Sequence, residues 1–146
     1  MARWYFDTSV LVAAAVAQHV HNSRALETLQ ALRDGKHRGH LSSHSLTEVY
    51  SVLTRTPFRP PVHPTEALKS MEDQILSSMT LISLDETEYI DIVRSAAREG
   101  WIGGRIHDAI HLRCAAKMKC DRIYTFNVRD FRTIAPGDLA GKISAP

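Results

Sequence analysis

The stretch Arg3-Trp4-Tyr5-Phe6-Asp7-Thr8-Ser9 decides the fold, because it ends an aromatic run on an acid. Aromatic residues favour a pleated, packed strand. A strand buried on both faces has no use for a carboxylate. Asp7 is therefore expected at the strand's exit, and in open α/β sheets ligands bind outside the strand exits. Three more acids recur in comparable settings: Glu48, Asp108 and Asp130.

Outward from that stretch, strand-like and helix-like segments alternate. Val10 to Val16 starts a helix, and Ser23 to Leu32 carries Ala25, Leu26, Leu29 and Leu32 at helical spacing before Asp34-Gly35. His40 to Ser42 reads as a short strand. Leu46, Val49, Tyr50 and Leu53 mark a helix face that stops before Pro57, and the proline-rich Thr56 to Pro64 reads as a connection. Thr65 to Ser78 predicts a helix, Met79 to Leu84 a strand, and Glu86 to Glu99 a helix closed by Gly100. A helix from Ile106 to Lys119 and a strand from Arg122 to Phe126 complete the pattern. Such βα alternation predicts an α/β fold, a parallel sheet with helices on both faces.

A chain of 146 residues predicts one domain over residues 1–146, able to bury roughly 70% of its unfolded surface. A formal charge of +2 excludes a dedicated polycation, but the charges are unevenly spread. From Arg105 to Arg132 there are seven Lys or Arg against three acids, and from Glu66 to Asp91 seven acids against one Lys. The basic run suits an anionic partner or simply a solvated face. Arg supplies 13 of the 18 basic residues, and its planar fork suits phosphate. Cys114 and Cys120 form no CxxC and read as reduced thiols. Val10 to Ala17 is too short to span a bilayer, and Asp7 interrupts any signal peptide. The expectation is a cytoplasmic protein without a membrane partner.

Each acid also has a purely structural reading. Asp7 can cap the helix that follows it. In Ser45-Leu46-Thr47-Glu48 a capping box would have Glu48 reach back to Ser45. Asp108 suits the dipole at the start of an apolar helix, and Asn127 and Asp130 can make an Asx turn. Together the acids mean more. In a parallel sheet their positions converge on one crevice, where unpaired carboxylates need a counter-charge. Mg²⁺ or Mn²⁺ supplies one through oxygen ligands. A competing motif is His107-Asp108-Ala109-Ile110-His111, which resembles the zinc pattern His-Glu-x-x-His, with His40, His44 or His63 as further ligands.

Four short motifs in order resemble the PIN-domain family, and more narrowly the VapC toxins of bacterial toxin–antitoxin modules. They are Tyr5-Phe6-Asp7-Thr8-Ser9-Val10-Leu11, Leu46-Thr47-Glu48-Val49, Ile106-His107-Asp108-Ala109-Ile110-His111-Leu112 and Thr125-Phe126-Asn127-Val128-Arg129-Asp130-Phe131. The resemblance implies a three-layer, Rossmann-like α/β/α sandwich around a central parallel sheet. It implies metal-dependent cleavage of RNA, a cognate antitoxin and a homodimer. Asp7, Glu48 and Asp108 match the family's three core acids. Where the family often has a further Asp, this chain has Asn127, with Asp130 three residues on, so either completes the set. Thr8 and Thr125 fit positions that orient the acids.

On this reading Asp7 and Asp108 hold Mg²⁺ or Mn²⁺, Glu48 and Asp130 bind metal through water or a second ion, and Arg105, Asn127 and Arg129 meet the RNA. The alternatives are a non-catalytic PIN-like module binding RNA or protein, and a zinc hydrolase built on the His107–His111 segment. A haloacid-type phosphatase would want Asp-x-Asp where this chain has Asp7-Thr8-Ser9.

Overall fold

In a computed structural model that describes residues 1–146, the first strand, β1 (Ala2–Phe6), lies at the centre of a five-stranded parallel sheet. The other strands are β2 (His37–Ser42), β3 (Met79–Ile82), β4 (Arg122–Tyr124) and β5 (Ile143–Ser144). Their spatial order is β3-β2-β1-β4-β5. Tyr5 pairs with His40 of β2 on one side and with Ile123 of β4 on the other. The chain thus builds outward from β1 in one direction and returns to start β4 on its other flank. That reversal is a topological switch point, and its crevice opens at the carboxyl ends of β1 and β4.

Side chains alternate faces along a strand, and β1 uses both. Phe6 joins a core formed with α1 (Thr8–Ala15), α2 (Asn22–Arg33), α3 (Ser43–Arg55) and α4 (Pro64–Met71), through Leu11, Leu29, Val49 and Ala67. A π-helical turn, Glu72–Leu76, continues α4 and buries Ile75. Tyr5 faces the second core, built with α5 (Glu86–Glu99), α6 (Arg105–Lys117), α7 (Val128–Ile134) and α8 (Gly137–Ala140). Ile92, Leu112, Phe131 and Leu139 are its anchors. The expected three-layer α/β/α sandwich is therefore present. No helix is long and apolar enough to cross a membrane.

Most elements fall where the periodicity places them, and the differences have local causes. The helix expected over Thr65 to Ser78 ends at Met71 and gives way to the π turn. The strand at His40 begins earlier, at His37, because Ala2 to Tyr5 pair with His37 to His40. α7, α8 and β5 lie beyond the last expected strand and are too short to show a period. The capping box at Ser45 is not formed. Ser42 caps α3 instead, its Oγ accepting from Ser45 N at 3.0 Å, which leaves Glu48 in the second turn with no capping role.

One close approach fixes α2 against the sheet. A Cβ on Gly39 would come within 2.4 Å of Leu32 Cδ1 and 3.0 Å of Met79 Cγ. Gly39→Ala is expected to cost about 1–3 kcal/mol, the usual penalty for overpacking. Urea unfolding would measure it, and in a Leu32→Ala background the penalty should fall by more than half. An equal penalty in both backgrounds would show that Leu32 is not the obstacle.

Candidate active site

At the switch point Asp7 is 3% exposed and caps α1 with Oδ1, which accepts from Ser9 N at 2.5 Å. Oδ2 accepts from Ser9 Oγ at 3.0 Å and from Thr125 Oγ1. The capping reading and the strand-exit reading of Asp7 are both correct. A carboxylate offers about four acceptor positions. Three are taken, and about one remains for a ligand. Thr125 in turn accepts from Asn127 N at 2.9 Å, and Asp7 N donates to Tyr124 O at 3.1 Å. The ends of β1 and β4 are thereby laced together through a single acid.

Asp108 enters from the first turn of α6. Burial pushes its carboxyl up to about 6, and the negative charges of Asp7 and Asp130 push the same way, against His111 and Arg105. Three acids thus share one field. Asp130 is exposed, in the first turn of α7, and contributes its charge. Asn127 is exposed and joins the network through its backbone N–H alone. Of the two residues that could complete the acidic set, Asp130 is the one whose charge Asp108 feels.

Glu48 is differently placed. Burial pushes it up, but contact with His111 and the imidazoles of His44 and His107 outweigh that and hold it below the usual carboxylate range. Oε1 lies 3.1 Å from His44 Nε2 and 3.6 Å from His111 Nε2. Neither approach has hydrogen-bond geometry, so this shielded oxygen has no donor. A solvent-shielded, unpaired carboxylate oxygen is costly unless something binds it.

Thr8 does not orient Asp7. Its hydroxyl faces Ser45 Oγ at 3.4 Å and His111 Nε2 at 3.3 Å. Ser9, which the sequence pattern leaves unremarked, does that work beside Thr125. His111 is 2% exposed and lies 2.8 Å from the fully buried Tyr5 hydroxyl. Burial raises Tyr5 well above its ordinary value, so the hydroxyl keeps its proton and shares a hydrogen bond with Nδ1. Nε2 faces Thr8 and Glu48. His111 is accordingly a core residue, and the two imidazoles of the zinc-like segment part company. His107 stands beside His44 instead, with Nδ1 3.2 Å from His44 Nε2. Neither His40 nor His63 joins them.

The basic run is partly spoken for. Arg113 lies 3.7 Å from Glu88 and 3.5 Å from Asp91, and Lys117 2.6 Å from Glu88, so α6 spends these charges on α5. Arg105 Nη1 donates to Thr133 Oγ1 at 2.9 Å, tying α6 to α7 while still acting on Asp108. Arg129 is exposed and makes no hydrogen bond or ion pair.

The PIN domain family profile matches residues 4–135. Ribonuclease VapC40 of Mycobacterium tuberculosis is 30% identical over 128 residues, which span 87% of this chain and 88% of the relative. Among solved structures, the sarcin-ricin loop cleaving toxin VapC20 of M. tuberculosis superposes with a TM-score of 0.68 at 15% identity, covering 91% of this chain and 96% of its own. VapBC2 from Rickettsia felis, bound to a DNA fragment from its promoter, gives 0.67 at 16% identity, with 98% of each chain covered. The two structures speak for the fold. The profile and the 30% relative establish that this chain belongs to the PIN domain family.

The burial of Asp108 among other acids predicts a stability signature. In chelator, Asp108→Asn should be more stable than the wild type at pH 7.5. Two pKa units would be worth nearly 3 kcal/mol, and solvent screening of a half-exposed group brings this to about 1 kcal/mol. The folded-state pKa is raised, so native Asp108 takes up a proton that the unfolded chain releases between pH 6 and about 4. The advantage of the variant should therefore shrink as pH falls through 6 and disappear near 4. Denaturant melts across that range would check it, and a difference independent of pH would contradict it.

Proposed function

We propose that this PIN-domain protein is a divalent-metal-dependent endoribonuclease, the toxin of a toxin–antitoxin pair, with residues 1–146 acting as one nuclease domain. The observation that carries the reading is the gathering of Asp7, Asp108 and Asp130 at the sheet's switch point, where burial first, and then the charges of Asp7 and Asp130, raise Asp108 to about 6. A cation would relieve both the burial and the like charge. The donors there are all carboxylate oxygens, which suit Mg²⁺ or Mn²⁺. Asp7 keeps about one free acceptor position, and Glu48 holds an oxygen with no donor. The residues therefore fit the ion.

In this reading Asp7 and Asp108 hold the ion directly, while Asp130 and Glu48 add charge from either side. The ion's contribution would be Lewis-acid activation of water and neutralisation of phosphate oxygens during in-line displacement. Ser9 and Thr125 keep the Asp7 carboxylate in a single orientation, so little reorganisation accompanies substrate arrival. Arg129, exposed beside Asp130, is free to meet a substrate phosphate, and Arg105 serves the same strand from the start of α6. The exposed Asn127 side chain lies between these groups in sequence and can donate to the RNA.

The toxin assignment rests on the family and on the likeness to VapC40 and VapC20, whose names record ribonuclease action and cleavage of the sarcin-ricin loop. A cognate antitoxin, a homodimer and a cytoplasmic setting belong to the same reading. A non-catalytic binding module would have no use for Asp108, whose half-buried carboxylate is set among other acids.

The test is Mg²⁺- or Mn²⁺-dependent cleavage of a long RNA, abolished by EDTA. Asp108→Asn is the cleaner variant, because Asp7→Asn would set an amide NH₂ against Ser9 or Thr125. Asp108→Asn should lower the cleavage rate at least about 100-fold, the scale of several kcal/mol of lost charge stabilisation. Undiminished cleavage by a folded Asp108→Asn protein, or cleavage unaffected by EDTA, would defeat the proposal.

A further inference from the structure

Beside the acidic crevice lies a second group of ligand atoms with different chemistry. His44 projects from the first turn of α3, Glu48 from one turn further on, and His107 from the first turn of α6. One ligand atom from each lies within 4.8 Å of the other two. His44 Nε2 is 3.1 Å from Glu48 Oε1 and 3.2 Å from His107 Nδ1. A tetrahedral ion with bonds of 2.0–2.1 Å spaces its ligands roughly 3.3–3.4 Å apart. Two edges of the triangle already have nearly that length.

The protein's own hydrogen bonding accounts for part of the arrangement, since His44 Nε2 and His107 Nδ1 share a hydrogen bond of 3.2 Å. That pair, with ring planes 7° from parallel, reaches the surface, because His107 is exposed. It leaves Glu48 Oε1, 3.1 Å from His44 Nε2, without a donor. The groove that holds the group, lined also by Thr47, Ser51 and Arg55, opens to solvent, so an ion has a route in.

We propose that His44, Glu48 and His107 form a site for a transition-metal ion of the zinc class, distinct from the hard-ion position at Asp7 and Asp108. Two imidazoles and one carboxylate favour Zn²⁺, Co²⁺ or Ni²⁺ over Mg²⁺, which prefers oxygen alone. Three protein ligands leave one coordination position for water. The site differs from the sequence-level zinc pattern, because His111 is turned away to Tyr5 and His44 comes from another helix. Glu48 is the residue common to both sites. An ion held by the imidazoles withholds that carboxylate from the crevice, so the site is inhibitory.

The binding arm of the test uses tag-free, metal-stripped protein titrated calorimetrically with Zn²⁺ alone, and with Co²⁺ monitored by visible absorption. Expected are one equivalent of Zn²⁺ bound in the micromolar range or tighter, and a tetrahedral Co²⁺ spectrum. His44→Ala and His107→Ala should each weaken Zn²⁺ at least about 10-fold, with unchanged melting in chelator because both side chains reach the surface. Asp130→Asn should leave the affinity within about twofold. No stoichiometric Zn²⁺ binding, full affinity in both histidine variants, or loss of binding in Asp130→Asn would each overturn the site. The functional arm alone rests on the nuclease reading. Zn²⁺ should slow Mg²⁺-supported RNA cleavage in the wild type, and each histidine variant, normalised to its own zinc-free rate, should resist. Zinc stimulation of the wild type would overturn the inhibitory role while leaving the binding result to stand or fall by itself.

Discussion

The crevice depends on one acid accepting from both sides of a sheet's switch point. Asp7 follows β1, Thr125 follows β4, and the hydroxyl of one donates to the carboxylate of the other. Ser9 closes the loop by donating to Asp7 and accepting from Phe126 N at 3.0 Å. A carboxylate buried to 3% exposure would be prohibitive without these donors. With them its charge and orientation are fixed before any ligand arrives. The same three donors explain why the site sits where it does. Only at the switch point do two neighbouring strands end with their chains leading away to opposite faces, leaving room above the sheet.

β1 carries a second consequence through its alternation. Phe6 anchors one core and Tyr5 the other, but Tyr5 also brings a hydroxyl into an apolar layer. That hydroxyl would be an unsatisfied polar group but for His111, and His111 in turn presents Nε2 to Thr8 and Glu48. Core packing and site polarity are therefore joined through one tyrosine–histidine contact. It positions α6, the helix that delivers both Asp108 and His107.

Much of this was legible from residue order. An acid that ends an aromatic strand marks its exit, so the place of Asp7 follows from one short segment, and the parallel sheet from the βα alternation around it. Asp108 was legible because a carboxylate entering an apolar helix needs a partner. Other features were hidden for identifiable reasons. Glu48 looked like half of a capping box because Ser45 stands three residues before it, whereas register on β2 puts Ser42 at the cap. Ser9 carries no local signal, since a serine after an Asp-Thr pair has no distinctive spacing. His44 and His107 are 63 residues apart, a separation no local pattern spans. The basic run from Arg105 overstated the cationic surface, since Arg113 and Lys117 are matched to acids on α5.

Glu48 shows how the two neighbouring chemistries constrain each other. Its shielded oxygen lies 3.1 Å from His44 Nε2 and 3.6 Å from His111 Nε2, and His107 stands next to His44. A hard ion at Asp7 and Asp108 gains little by drawing on a carboxylate already turned toward nitrogen ligands. A softer ion gains an oxygen that is shielded, unpaired and correctly spaced. The identity of the ion that reaches the groove first would thus decide which way Glu48 faces. On the two proposals together, the acidic crevice and the histidine pair would draw on one carboxylate, and the metal supply would set the choice.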